Sequence, residues 1–242
     1  MIFKDKYSQP ITRERVWKTF LMAVPTGLYA IMYIIWFNWI EKRPVVHFTE
    51  MHVAIDDKIP FMEIFVVPYI LWFGFVFFCT AFPLLKFEVE DYWKFMAFLS
   101  FGMTLFLVLS TFVPTIQYLR PAQMPRDNIF TDMVSFFYTH DTPTNVFPSM
   151  HAYNAVGGAI SLHHSRRIGR KGRIASSVMA MLIVVSTMFI KQHSATDVIG
   201  ALALSLIAYY FVYRTNLVTN LLGKLGVIDL APEEAPEEIF VK

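Results

Sequence analysis

Two residues near the C-terminal third of the chain have the types and spacing of a catalytic pair. His193 and Asp197 are four residues apart, so on a helix they share one face. A carboxylate within hydrogen-bond reach of one imidazole nitrogen fixes the tautomer and leaves the second nitrogen free. A histidine oriented in this way can act as a nucleophile or as a base.

Two further polar segments offer groups suited to an anion. Pro148 fits the first turn of a helix, which would direct Ser149 and the backbone N–H groups after it toward an anion at the helix N-terminus. His151 is close enough to that point to protonate a leaving oxygen. Arg120 presents a planar fork that matches a phosphate, and Lys191 adds a second cation. Cations aimed at the phosphate oxygens are the main requirement of phosphoryl transfer.

Other interpretations of these residues remain open. Taken singly, His151, His193 or Lys191 could be a structural or snorkelling side chain. Two histidines and a carboxylate could also form a facial triad for a metal ion, although Arg120 and Lys191 beside it would repel a cation. We therefore predict no metal and no cofactor. The acidic residues of the first long loop and its border are interpreted as a solvated rim, with the shaping of a headgroup pocket as the alternative: Glu50, Asp56, Asp57 and Glu63.

The composition predicts a membrane protein. Of the 242 residues, 55% are hydrophobic and only 17% are charged, below the ~25% that is usual in soluble domains, and the mean hydropathy is +0.46. The net charge of +2 is too small to indicate a nucleic-acid partner. The single cysteine, Cys79, excludes a disulfide framework within the chain.

Six apolar segments are long enough, or nearly so, to cross ~30 Å of hydrocarbon. They predict an all-α fold, an integral membrane bundle of six transmembrane helices. Polar residues in the last three segments should face the interior of the bundle. The segments are residues 17–40, 64–85, 95–113, 147–163, 174–190 and 196–213.

The distribution of cations predicts the orientation. Fifteen of the 21 Lys and Arg residues fall on the side of the two termini, and the loop 165–173 holds a dense group of them. The positive-inside rule then places both termini in the cytoplasm of a cell-membrane protein and the polar segments at the outer face. Residues 1–216 form the membrane domain, and residues 217–242 are expected to be a cytoplasmic, disordered acidic tail.

The polar segments resemble the signatures of the type 2 phosphatidic acid phosphatase superfamily, which also includes lipid phosphotransferases and vanadium haloperoxidases. Those signatures are Lys-x6-Arg-Pro, Pro-Ser-x-His and Ser-Arg-x5-His-x3-Asp. The end of the first is matched at residues 120–121, the second in full at 148–151, and the third at Ser186, His193 and Asp197. The match covers roughly residues 113–213, and its second and third signatures together are specific.

The chain departs from these signatures at two cations. Val113 stands at the lysine position of the first, and Thr187 at the arginine position of the third. Lys191 is our candidate replacement for one of them and Arg126 a weaker candidate for the other. The wording around His193 looks like the inositol-phosphotransferase branch, which includes inositol phosphorylceramide synthases.

The resemblance implies a mechanism and a function. His193 would attack phosphorus, His151 would protonate the leaving alkoxide, and Arg120, Ser149 and Lys191 would hold the phosphate oxygens. The implied protein is a membrane lipid phosphatase that hydrolyses a phosphate monoester or diphosphate of a lipid through a phosphohistidine. Two alternatives remain open: a lipid phosphotransferase of the inositol phosphorylceramide synthase type, and a non-catalytic or transport protein with a degenerate site.

Overall fold

The computed structural model describes residues 12–86 and 88–227, without the side chain of Arg15. These residues form helices joined by short loops at one end and by longer loops at the other. A single 3₁₀ turn, Glu63–Phe65, precedes α2. The helices are α1 (Arg13–Lys42), α2 (Val66–Leu85), α3 (Val89–Phe112), α4 (Ile129–His140), α5 (Met150–His164), α6 (Arg170–Phe189), α7 (Ala195–Tyr209), which continues as a π-helical turn (Tyr210–Arg214), and α8 (Leu217–Lys224).

Five stretches of the described chain are long and apolar enough to span a membrane, one fewer than the sequence predicted. The expected fourth segment, 147–163, corresponds to α5, which has only 15 residues and so rises about 22 Å. It begins late because Ser149 caps it, accepting a hydrogen bond from the backbone N–H of Ala152. The five stretches are Val16–Lys42, Glu63–Leu85, Val89–Phe112, Arg170–Phe189 and Ala195–Arg214.

Helix α5 lies at the centre of the bundle. It packs against α2, α3, α6 and α7, so protein rather than lipid surrounds most of it. Close packing requires small residues: a Cβ at Gly157 would lie 2.4 Å from the ring of Phe98. The polar side chain of Asn154 is buried here as well. Protein surroundings therefore explain why α5 is less apolar than α2, α3 and α7.

The longer loops are joined at the end of the bundle where α5 and α7 begin. Two short strands, β1 (Thr49–Glu50) and β2 (Thr115–Ile116), pair in parallel, and Ile116 also forms a bridge with Thr144. The long segment between α3 and α5 contains α4. Asn128 caps that helix, and its side chain accepts hydrogen bonds from two backbone N–H groups of the first turn.

The first part of the expected acidic tail is helical. Residues 217–224 form α8, which packs on α3 through Leu222, and the hydroxyl of Thr219 donates a hydrogen bond to Glu90 at 2.7 Å. The apolar face of α8 thus finds a partner in the bundle, and the domain boundary at residue 216 stays a prediction. The acidic stretch of the tail lies outside the described residues.

Candidate active site

His193 and Asp197 meet at the start of α7. Ser194 caps this helix. The backbone N–H of Ser194 donates to Oδ2 of Asp197 at 3.0 Å. The same carboxylate oxygen lies 3.3 Å from Nδ1 of His193. An ionised carboxylate only accepts, so Nδ1 carries the proton in this contact and Nε2 is left free. Asp197 is fully buried and His193 is 9% exposed, so one nucleophilic nitrogen is held in a mostly dry setting.

The turn before α7 fixes the position of His193. The backbone N–H groups of Gln192 and His193 both donate to the carbonyl of Thr187 in the last turn of α6, at 2.9 and 3.1 Å. Lys191 has a φ of 54°, an uncommon conformation for a residue with a side chain. This conformation reverses the chain between α6 and α7 and brings His193 back over the end of α6.

His151 faces His193 from the first turn of α5. The two ring centres lie 5.8 Å apart. The ring of Tyr69 stacks on His151 at 4.6 Å, and the ring of Trp72 lies at 4.5 Å. These aromatic contacts hold the second imidazole at a distance that leaves room for a reacting group between the two histidines.

Ser149 joins the two helix starts. Its backbone N–H donates to the carbonyl of Asp197 at 3.1 Å, which ties the beginning of α5 to α7. Its hydroxyl oxygen accepts from the N–H of Ala152 at 3.3 Å, so the serine acts as the helix cap. The hydroxyl proton remains as a donor, and the sequence expectation that Ser149 holds a phosphate oxygen rests on that proton.

Arg120 reaches the site through the neighbour of His193. One guanidinium nitrogen donates to the side-chain oxygen of Gln192 at 2.5 Å and the other to the carbonyl of Tyr138 at 3.1 Å. The guanidinium also lies over the ring of Tyr138, 4.5 Å from its centre. Burial lowers the pKa of Arg120, but an arginine stays charged in proteins. Arg120 therefore supplies a positive charge next to the His193 turn.

Lys191 and Arg126, the candidate replacements for the missing cations, have their charged groups bound elsewhere. The ammonium of Lys191 donates to the carbonyls of Asp56 at 2.8 Å and Ile59 at 2.5 Å, and burial lowers its pKa. Arg126 forms a two-pronged pair with Glu63, with nitrogen–oxygen distances of 2.6 and 2.5 Å. Each cation instead fixes a loop of the site.

The two departures from the signatures leave uncharged groups in place. Val113 follows the end of α3 and is 50% exposed. Thr187 is fully buried, and its hydroxyl donates to the carbonyl of Val184 at 2.8 Å. Neither residue offers a charge to a phosphate group.

Asp56 is a site residue that sequence reasoning missed. It was interpreted as part of a solvated rim, but only 2% of it is exposed. Its carboxylate accepts from the hydroxyl of Ser194 at 2.6 Å, from the N–H of Ala195 at 2.8 Å and from the N–H of Val53 at 2.9 Å. An acidic residue in a polar loop carries no local sign of such burial, so the sequence offered no signal.

Asp141 adds a carboxyl group to the same region. It follows α4 and is partly buried, and that burial is the main cause of its raised pKa. The charges of His193 and Arg120 act in the opposite direction, which means that all three groups interact electrostatically. The site therefore contains negative as well as positive charge.

Groups of three or more His, Cys, Asp or Glu residues that could hold a metal ion do not occur in the described part of the chain. The site consists instead of two imidazoles, one guanidinium, buried carboxyl groups and the start of two helices. Such a set can bind an anion, attack it with one imidazole and exchange a proton through the other.

The chain belongs to the PAP2 superfamily, whose family model matches residues 95–220. The matched region begins within α3 and contains every residue of the predicted site. The resemblance to the superfamily is confirmed, and it supports phosphatase activity on phosphate esters in general, while the inositol-phosphotransferase branch stays a prediction. Neither the curated proteins nor the solved structures contain a match to this chain.

Proposed function

We propose that this protein is a membrane enzyme that transfers the phosphoryl group of a lipid phosphate ester through a covalent intermediate on His193. The observation that carries the proposal is the pairing of His193 with the buried carboxylate of Asp197, with His151 only 5.8 Å away between ring centres. A nucleophile, its orienting group and a proton donor are the three parts that this chemistry requires.

The reaction runs in two steps. Nε2 of His193 attacks phosphorus while the bond to the leaving oxygen breaks, and His151 gives its proton to that oxygen. In the second step a hydroxyl group attacks phosphorus, His151 takes its proton and His193 is released. Arg120 stabilises the negative charge of the phosphate oxygens in both steps. Water as the acceptor makes the enzyme a phosphatase, and an alcohol makes it a phosphotransferase.

The position of the site in the bundle supports a lipid substrate. We assign α5 as the sixth span. It is short, but the four longer helices packed around it would shield its ends from the hydrocarbon of the bilayer. The site then lies at one membrane face, where a headgroup can enter while its chains remain in the hydrocarbon. The basic loop 165–173 lies at the opposite end of α5. The positive-inside rule assigns that end to the cytoplasm, together with both termini, and the site to the outer face of the cell membrane.

The test is a trapping experiment on the purified full chain in detergent with EDTA. Lipids labelled with ³²P at the phosphate are mixed with wild type, His193→Ala and, as a matched control, His140→Ala, which removes an exposed histidine from α4. We expect label on wild type and His140→Ala that survives alkali and is released by acid, as a phosphohistidine would. His193→Ala should carry no label and lose at least about 10³-fold in turnover. Undiminished turnover in His193→Ala would contradict the proposal.

A further inference from the structure

A groove runs along the side of the bundle between α6 and α7. Both helices pack on α5, but in the described chain they hardly touch each other, so α5 forms the floor of the groove. The volume of the groove is about 630 Å³, within the range of ligand sites. The apolar part of its lining includes Val156 and Ile160 of α5, Met181 and Val184 of α6, and Leu202 of α7.

The length of the groove matches one leaflet of a membrane. Along α5 its lining extends from Val156 to His164, which is a rise of about 12 Å. The hydrocarbon core of a bilayer is ~30 Å thick, so each leaflet contributes about half of that. A partner helix that crossed the membrane would leave this surface within half of its length, whereas an acyl chain of one leaflet fits it. The length therefore favours a lipid as the occupant.

The polar groups of the groove lie at its end next to the loop 165–173. Nε2 of His163 donates to the carbonyl of Arg173 at 3.0 Å and lies 2.8 Å from the hydroxyl of Ser177. One terminal nitrogen of the Arg173 guanidinium donates to the carbonyl of Ser165 at 3.1 Å, while Nε has no hydrogen-bond partner among the described residues. The lining toward the other end is aliphatic. The groove is thus amphipathic in the sense of a lipid, with a polar end and an apolar length.

Arg170 adds positive charge at the polar end. It lies seven residues before Ser177, so helical periodicity places both residues on one face of α6. Its side chain is exposed and forms no hydrogen bond or ion pair with the described residues. The neighbouring Arg166 and Lys171 are exposed as well. A group of cations at the membrane surface attracts the headgroups of anionic lipids.

We propose that the groove between α6 and α7 binds an anionic phospholipid from the leaflet on the side of the loop 165–173, which the proposed orientation makes the cytoplasmic one. One acyl chain lies in the groove along α5, and Arg170 and Arg173 hold the phosphate. The lipid bridges two helices that hardly touch each other. Its headgroup lies at the opposite end of α5 from His151, so the site is separate from the candidate active site and does not depend on the proposed function.

The experiment is photo-crosslinking of the purified full chain in phosphatidylcholine nanodiscs. Each preparation contains the same small fraction of one probe lipid, either phosphatidylglycerol or phosphatidylcholine, with a diazirine on one acyl chain, and the adducts are mapped by mass spectrometry. We expect phosphatidylglycerol to label the lining residues of α5 at least about fivefold more than phosphatidylcholine, because one basic residue near a membrane surface contributes about that factor. Equal labelling by the two probes, or labelling that leaves α5 out, would overturn the proposal.

The order of labelling along the groove identifies the leaflet of the bound lipid. A diazirine near the end of the acyl chain should label Val156 and Leu202, and a diazirine next to the glycerol should label residues near His163 and Ser177. A lipid held at the candidate active site would give the reverse order, since its headgroup would lie beyond Val156. The reverse order would therefore overturn the proposal.

Two pairs of variants test the phosphate and the acyl chain separately. Arg170→Gln removes a cation at the polar end, and Lys224→Gln removes one from an exposed position of α8; the first should lower labelling of α5 by phosphatidylglycerol about fivefold and the second should not. Met181→Trp places a larger side chain in the groove, whereas Leu182→Trp adds the same ring at an exposed position outside it. Only Met181→Trp should reduce labelling severalfold. Equal effects within either pair would contradict the proposal.

Discussion

Asp56 offers a test of how the nucleophile is positioned. Its carboxylate uses both oxygens: Oδ1 accepts from the N–H of Ala195, and Oδ2 accepts from the hydroxyl of Ser194 and the N–H of Val53. Asp56→Asn keeps the size of the side chain but replaces one of these oxygens by an NH₂ group. Whichever way the amide turns, a donor then faces a backbone donor. The substitution therefore breaks at least one buried hydrogen bond and removes the charge from the remaining ones.

The size of the effect follows from these contacts. A hydrogen bond to a charged group contributes ≈ 1.5–3 kcal/mol, and loss of a helix N-cap costs about 1 kcal/mol. We expect Asp56→Asn to lower the free energy of unfolding by about 2–4 kcal/mol. Since Ser194 and Ala195 directly follow His193, the imidazole should also shift. A displacement of about 1 Å can cost 10²-fold in rate, so we expect kcat to fall by about tenfold to a hundredfold while KM changes less.

The assay pairs unfolding with kinetics and has a control in the adjacent residue. Asp57→Asn removes the same charge from an exposed carboxylate whose hydrogen-bond partner among the described residues is His52, at 2.9 Å. Both variants are titrated with SDS in mixed micelles and assayed for kcat and KM. Asp57→Asn should behave like wild type. An Asp56→Asn protein that unfolds at the same SDS fraction as Asp57→Asn and retains wild-type kcat would refute the reasoning.

Two further predictions concern the charge near the site and the packing of the bundle. Burial raises the pKa of Asp141, so its ionisation occurs at higher pH than in a free aspartate. The KM for an anionic lipid phosphate ester should rise as pH increases through that pKa, and Asp141→Asn should remove the inflection from the pH profile. Gly102→Ala places a Cβ 2.1 Å from the ring of Tyr153, so SDS titration should show a loss of about 1–3 kcal/mol, whereas Gly27→Ala, with nothing within 4 Å, should show no overpacking cost.

Local spacing made part of the site predictable. His193 and Asp197 are separated by four residues, and helical geometry alone places them on one face. The cap at Ser149 is also a local feature, because its hydroxyl bonds to the backbone three residues later. The same holds for most helix bounds, since long apolar stretches have few other solutions in a membrane.

Contacts between distant parts of the chain were beyond such reasoning. Asp56 and Ser194 are 138 positions apart, and Arg120 and Gln192 are 72 apart. No spacing rule relates residues across two loops. The direction of the Lys191 side chain depends on a positive φ, which the sequence does not reveal for a residue other than glycine. Residues 147–163 were predicted as a span from their hydropathy, which does not distinguish a helix enclosed by protein, as most of α5 is, from one that faces lipid.

The positions of Asp56 and Lys191 explain how a site with few cations can still be well ordered. Lys191 lies two residues before His193 and binds two carbonyls of the 53–59 loop, while Asp56 of that loop binds the two residues after His193. The nucleophile is thus held from both sides by one loop. A lysine used in this way is withdrawn from the phosphate, so positional order is gained at the expense of positive charge at the substrate.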